Sequence, residues 1–255
     1  MAVDPVVRLR ASATGSAEHT PPRVILTDMD LSELVTKTLS RRREDGTLRI
    51  VQAGHPALRA QARAWTGQLA PQLLIELVEA MTLTMRRAPG VGLAAPQVGL
   101  PLALVVVEDP FAAGEGGEDA EDALLRRRPL PLRAFLNPAY EVTGTRRVYF
   151  WEGCLSVDGW QSIVPRGLEI DARALELARD GELREMAEHW EGWSARIFQH
   201  ETDHLAGTLC HDRAVARSMV HAQYTARYAD LTEAVRRLRL TGEVAELGAG
   251  EVEIG

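Results

Sequence analysis

The chain has 255 residues, a formal net charge of −7 and an ordinary apolar share of 45%, enough for a sizeable core in one large domain. The acidic balance argues against a general nucleic-acid binder, and Lys37 is the only lysine. Cys154 and Cys210 are the only cysteines, too few for a secreted disulfide scaffold, and no apolar run approaches the roughly 18 residues of a membrane span.

The first residues lack the apolar stretch of a secretory signal. Arg8, Arg10 and several Ser and Thr give them only a faint likeness to a transit peptide, so a cytoplasmic protein is expected. Residues 1–25 are small and polar, end in Pro21-Pro22 and predict no structure. Asp30 is positioned to cap a short helix over 31–42, with Leu31, Leu34, Val35 and Leu39 on one face. The run RRREDG from Arg41 reads as a charged linker, so the compact domain is placed from 48. The expected division is an extension over 1–47, a catalytic domain over 48–213 and a C-terminal region over 214–255.

Leu73, Leu77, Met81 and Met85 recur every four residues and predict a helix over 71–87, with Pro71 in its first turn. Gly90 and Gly92 end it. The β-branched run from Leu102 predicts a buried strand. The acidic, glycine-rich stretch 112–122 predicts a surface loop. Short strands are expected near 134–136, 146–150, 162–164 and 168–171. Asp180-Gly181 predicts a hairpin turn before a strand near 183–187. A helix over 193–205 should stop at Gly207. One or two helices between 218 and 240 precede a flexible tail rich in Gly and Glu.

His200-Glu201-Thr202-Asp203-His204 reads HExxH. On a helix, residues four apart share a face, so two imidazoles converge on one cation. Glu201 then projects beside them, toward a water on the cation rather than the cation itself. Asp203 is free to pair with an arginine or to orient a histidine from behind. A catalytic divalent site needs a third ligand and an open position. Cys210 competes with Cys154 for that place, by the spacing H-E-x-x-H-x-x-G-x-x-C. Cys154 is favoured, because Gly153 lets the backbone approach a ligand closely and Cys210 sits in an apolar run that suits packing. His211 has no partner at useful spacing, and His19, His55, His189 and His221 read as solvated or structural. A His₂Cys set accepts Zn²⁺, Fe²⁺, Co²⁺ or Ni²⁺, so the ligands alone do not fix the metal.

The segment 90–99 (GVGLAAPQVG) follows a helix and precedes a strand, the reverse of a dinucleotide-binding loop. It reads either as a plain turn or as a backbone wall for a substrate, with Gln97 offering an amide N–H to an oxyanion.

Together, the GVGLAAPQ, EGCLS and HETDH segments resemble the peptide deformylase family, in its order and spacing, over about 48–213. GWSARIFQHETDHLAGTL is similar to the actinobacterial and organellar subgroup. The resemblance implies an α+β fold with mixed or antiparallel sheets packed around a central HExxH helix. It implies hydrolysis of the formyl group from N-formylmethionyl peptides of new proteins. Cys154, His200 and His204 would hold one divalent metal ion, most often Fe²⁺, which Zn²⁺, Ni²⁺ or Co²⁺ can replace. Glu201 would be the general acid/base, and Gln97 with the Leu155 N–H would form the oxyanion hole. Gly92 would position the formyl group, and Val91 and Gly153 the peptide backbone. Glu152 and Arg166 would pair to brace the Cys154 loop. Trp193, Arg196 and Ile197 are candidates to line the pocket for the first side chain. A transient ribosome association fits such a substrate, and no nucleic-acid or membrane partner is expected. Asp158 stands where many members have proline, which leaves peptide preference open. The alternatives are an HExxH metallopeptidase and a deformylase of a specialised formylated metabolite.

Overall fold

A computed structural model describes residues 30–110, 120–178 and 180–255. The expectations for 1–25 and for most of the acidic stretch from Ala112 lie outside the described residues. The end of that stretch opens a short helix, α3 (Ala120–Leu124), rather than continuing as loop.

Helix α1 (Leu31–Ser40) buries Leu31, Val35 and Leu39, one apolar face, against α2 (Pro71–Arg87). Asp30 stands at its N-cap, but its side chain makes no capping hydrogen bond. The run after α1 is not a free linker. Arg43 N–H donates to Thr47 O at 2.9 Å and Gly46 N–H to Arg43 O at 2.9 Å, with Gly46 left-handed at φ +81°. Leu48 N–H then donates to the Thr84 hydroxyl at 2.8 Å, which stitches this turn onto α2. The charged composition concealed these local bonds. In α2 the buried stripe runs through Leu74, Leu77, Met81 and Met85, with Leu73 at its edge.

One antiparallel sheet carries the rest, in the order β1 (Gly92–Ala94), β2 (Leu104–Asp109), β3 (Leu130–Gly153), β4 (Trp160–Leu177), β5 (Leu183–Glu191). The short strands expected over 134–171 are pieces of two long ones. The ladder passes Asn137-Pro138 and Gly144 through register shifts at Leu136/Ala139 and Thr143/Arg147. Asn137 adopts φ +51°, and its carboxamide pairs with Trp65 backbone N–H and C=O at 2.6 and 2.9 Å. The Asp180-Gly181 hairpin forms as expected, with Gly181 at φ +84°.

Helix α4 (Gly192–Leu205) follows β5 and touches each of β1 to β5. Phe198 is fully buried between Phe135 and Trp190, with ring centroids at 5.5 and 5.1 Å. Burying such a side chain contributes about 1.5–3 kcal/mol. Gly207 stops the helix at φ +72°, where a Cβ would lie 2.8 Å from the Arg59 backbone. Beyond it, β6 (Val220–His221) pairs with β4, and α5 (Ala222–Thr225) and α6 (Leu231–Leu238) follow. The tail is not loose: Val244, Leu247 and Val252 are buried, and β7 (Glu253–Ile254) pairs with β3.

Candidate active site

Helix periodicity sets His200 and His204 one turn apart on α4, with ring centroids 5.0 Å apart. Cys154 enters from the turn that leaves β3. Its sulfur and one nitrogen from each histidine lie within 4.8 Å of one another, with His204 Nε2 at 3.5 Å from Sγ. Ser156 N–H and Gln97 Nε2 also donate to that sulfur, at 3.4 and 3.5 Å. Ala94 N–H holds Gln97 Oε1 at 2.8 Å, which turns the amide nitrogen toward Cys154. A hydrogen bond from Cys210, with His204 and His200 close by, keeps the Cys154 thiol well below its usual range despite burial. Cys210 itself is buried, at 1% exposure. Its sulfur also lies within 4.8 Å of a Glu152 oxygen and a His200 nitrogen.

Glu201 is 5% exposed, and its Oε2 has no hydrogen-bond partner among the described residues. Burial pushes its carboxyl above the ordinary value, while His200 and His204 pull the other way. A Cβ at Gly92 would stand 2.3 Å from Glu201 Oε1. Only glycine at 92 leaves Glu201 this position, a role the sequence reading did not assign to it.

Behind His200 the charges are all matched. Arg166 pairs with both Glu152 oxygens at 2.9 Å and with Asp203 Oδ2 at 2.5 Å. Tyr140 and Arg213 complete Asp203 at 3.0 and 2.9 Å, so Asp203 braces an arginine rather than a histidine. Glu152 Oε2 meets His200 Nδ1 at 3.0 Å, which fixes that ring. Burial alone would raise Glu152, but Arg166 and Arg196 hold it well below the usual carboxylate range. Arg196 was expected to line the first pocket. Its guanidinium instead donates to Glu152 Oε1 and to the Val164 and Val148 carbonyls. Burial pulls Arg196 down to about 10.

A cavity of about 820 Å³ opens in front of this cluster. Val91, Gly92, Gln97, Gly153 and Leu155 line one stretch of it, and His200 and Glu201 another. Trp193 and Ile197 line it from α4 beside the stem of Arg196. His204 is 1% exposed and is not part of the wall. Gln52 Nε2 donates to Leu155 O at 3.0 Å and Ala53 N–H to Ser156 O at 2.7 Å, which ties down the backbone that follows the Leu155 N–H. The weaker histidine candidates have local partners: His55 with Ala57 N–H, His189 with Asp171, His211 with Ser162, His221 with Gln223 N–H. His19 lies outside the described residues.

Two imidazoles and a thiolate converging beside a buried, unpaired carboxylate suit a divalent metal such as zinc or iron. On an α+β frame with an open cavity, this defines a metal-dependent hydrolase. Residues 47–219 match the polypeptide deformylase family. The peptide deformylase of Bifidobacterium adolescentis is 47% identical over 192 residues, 75% of this chain and 84% of that one. Peptide deformylase 3 of Streptomyces avermitilis is 50% identical, over 68% and 74% of the two chains. Among solved structures, the Met-Ala-Ser-bound class I type b peptide deformylase of Acinetobacter baumannii aligns at TM-score 0.55 and 27% identity, covering 66% of this chain and 98% of that one. This chain belongs to the polypeptide deformylase family, enzymes that use a metal to hydrolyse the formyl group from N-formylmethionyl peptides of new proteins.

Proposed function

We propose that Cys154, His200 and His204 hold one divalent ion, that Glu201 moves the proton and that Gln97 and Leu155 bind the oxyanion. The supporting observation is Glu201 Oε2, buried and without a partner beside three converging donors. The ion, Fe²⁺ in this reading with Zn²⁺, Ni²⁺ or Co²⁺ as substitutes, would supply Lewis acidity where the carbonyl sits. Glu201 takes a proton from the attacking water and returns it to the departing amine nitrogen. Its raised pKa suits both steps. Gln97 Nε2 and the Leu155 N–H receive the negative charge that develops on the formyl oxygen. Gly92, which lets Glu201 approach, lines the cavity where the formyl group would sit. Val91 and Gly153 offer backbone to an extended peptide, and Trp193 and Ile197, with the Arg196 stem, wall the first side chain. The Met-Ala-Ser found in the Acinetobacter relative supports a peptide as occupant.

In this reading 48–213 is the catalytic unit, centred on α4, with 1–47 an extension and 214–255 a C-terminal region. It acts in the cytoplasm on nascent chains, with transient ribosome contact. No helix among the described residues is long and apolar enough to cross a membrane. The test is formate release from a formyl-Met peptide by protein loaded anaerobically with Fe²⁺ or Zn²⁺, followed in air and under argon. The Fe²⁺ form is expected to be faster and to decay in air, since ferrous iron and thiolate both oxidise. Equal decay of both forms would contradict the metal as the oxygen-sensitive element and point to loss of fold. Absence of formate from both would contradict the whole reading.

A further inference from the structure

The 820 Å³ cavity is large for one formyl-methionine, since volumes of roughly 300–1,000 Å³ hold whole drug-sized ligands. From Glu201 its wall runs back along the chain through Gly92, Val91 and Gly90 to Arg87, the last residue of α2. The turn 43–47 contributes Arg43 and Asp45 to the same cavity. β1 is the edge strand of the sheet, paired only with β2. An extended peptide laid on such an edge advances about 3.3 Å per residue. With its first residue beside Gly92, its later residues run toward the Arg87 end of the cavity.

The charges at that end are uneven. Nearby arginines are engaged: Arg42 with Glu76 at 2.7 Å, Arg86 with Glu108 at 2.6 Å. Arg43 and Arg87 are exposed and form no ion pair within 4.0 Å among the described residues. Asp45 is the local acid, but its Oδ1 already accepts from Thr47 N–H and the Thr47 hydroxyl at 3.0 and 2.7 Å. Those Thr47 hydrogen bonds lower the Asp45 pKa, and Arg43 and Arg87 both lie close enough to lower it further, so two guanidiniums share that one carboxylate. Asp158, another acid of the cavity, sits on the β3–β4 turn. The 43–47 turn is hydrogen-bonded internally and fixed to α2, so little ordering is needed to use it. It also lies almost wholly before the segment that matches the family, which begins at residue 47.

We propose that Arg43 and Arg87 form a subsite for a carboxylate on the formylated peptide beyond its second residue. This rests on the deformylase reading and adds a substrate preference to it. The carboxylate is a side chain in a nascent polypeptide and can be the C-terminus in a short peptide.

The experiment measures kcat/KM for formyl-Met-Ala-X-Ser amides with X as Glu, Gln or Lys, and for the Gln peptide as free acid. Wild-type protein should prefer Glu over Lys by about three- to ten-fold, as two partly solvated charge pairs allow. A preference of the free acid over its amide would assign the terminus as a second source. The preference should shrink in 0.5 M salt. The double variant Arg43→Glu/Arg87→Glu should reverse the order, while Arg41→Glu, outside the cavity, should keep it. Equal values for all four peptides in the wild type would overturn the subsite and leave the deformylase reading standing. Formate from none of them would overturn both.

Discussion

Glu152 and Glu201 are both buried carboxylates near His200, and their surroundings drive them apart. Glu152 meets two guanidiniums and a histidine ring, and it stays ionised. Glu201 keeps one oxygen without a partner, and burial raises its pKa. In the proposed mechanism the matched region holds geometry and the unmatched region moves a proton. The sequence already sets Glu201 beside the HExxH histidines and, by the resemblance, pairs Glu152 with Arg166; the packing around each adds the opposite pKa shifts.

The sharpest way to break this comparison is to remove the proposed ligand between the two regions. Cys154→Ser should lose most bound metal and nearly all turnover, while Cys210→Ser should keep both. Metal content by elemental analysis decides it, and the reverse pattern would place the ligand at Cys210. Next comes the approach of Glu201. Gly92→Ala sets a Cβ where the carboxylate now lies, and a shift of about 1 Å should cost roughly 10²-fold in kcat. Metal content should be unchanged, because no ligand moves.

The matched region should respond in stability. Arg166→Leu removes the one buried guanidinium shared by Glu152 and Asp203, and denaturant unfolding should show a loss of about 3–5 kcal/mol. Arg213 contacts the same Asp203 from the surface, with a side chain 47% exposed. Arg213→Ala should cost under about 1 kcal/mol. Equal losses for the two variants would mean that the network is not graded by burial.

Helix α2 was legible because its buried face repeats every three to four residues. Helix α4 buries Ala195 to Gln199 without a break and shows no such stripe, so the HExxH spacing was what marked it. The length of β3 and β4 was not, since Asn137-Pro138 and Gly144 are strong turn signals that tertiary pairing overrides through bulges. The partner of Arg196 was hidden too. Its contact with Glu152 spans 44 residues, and nothing in local periodicity encodes such a pair. Arg196 lies on the face of α4 that suggested a pocket, yet its head turns inward to the charge it neutralises. The turn 43–47 was hidden by composition, because a charged run looks like solvent whether or not its backbone is bonded.

The central claim is that Glu201 handles protons and holds no metal. Glu201→Gln keeps the shape of the side chain and removes its basicity. Metal content and single-turnover formate release should be measured on the same anaerobic preparation. The account predicts full metal occupancy with turnover reduced about 10²–10⁴-fold or more. Turnover near the wild-type rate, or loss of the metal, would contradict it.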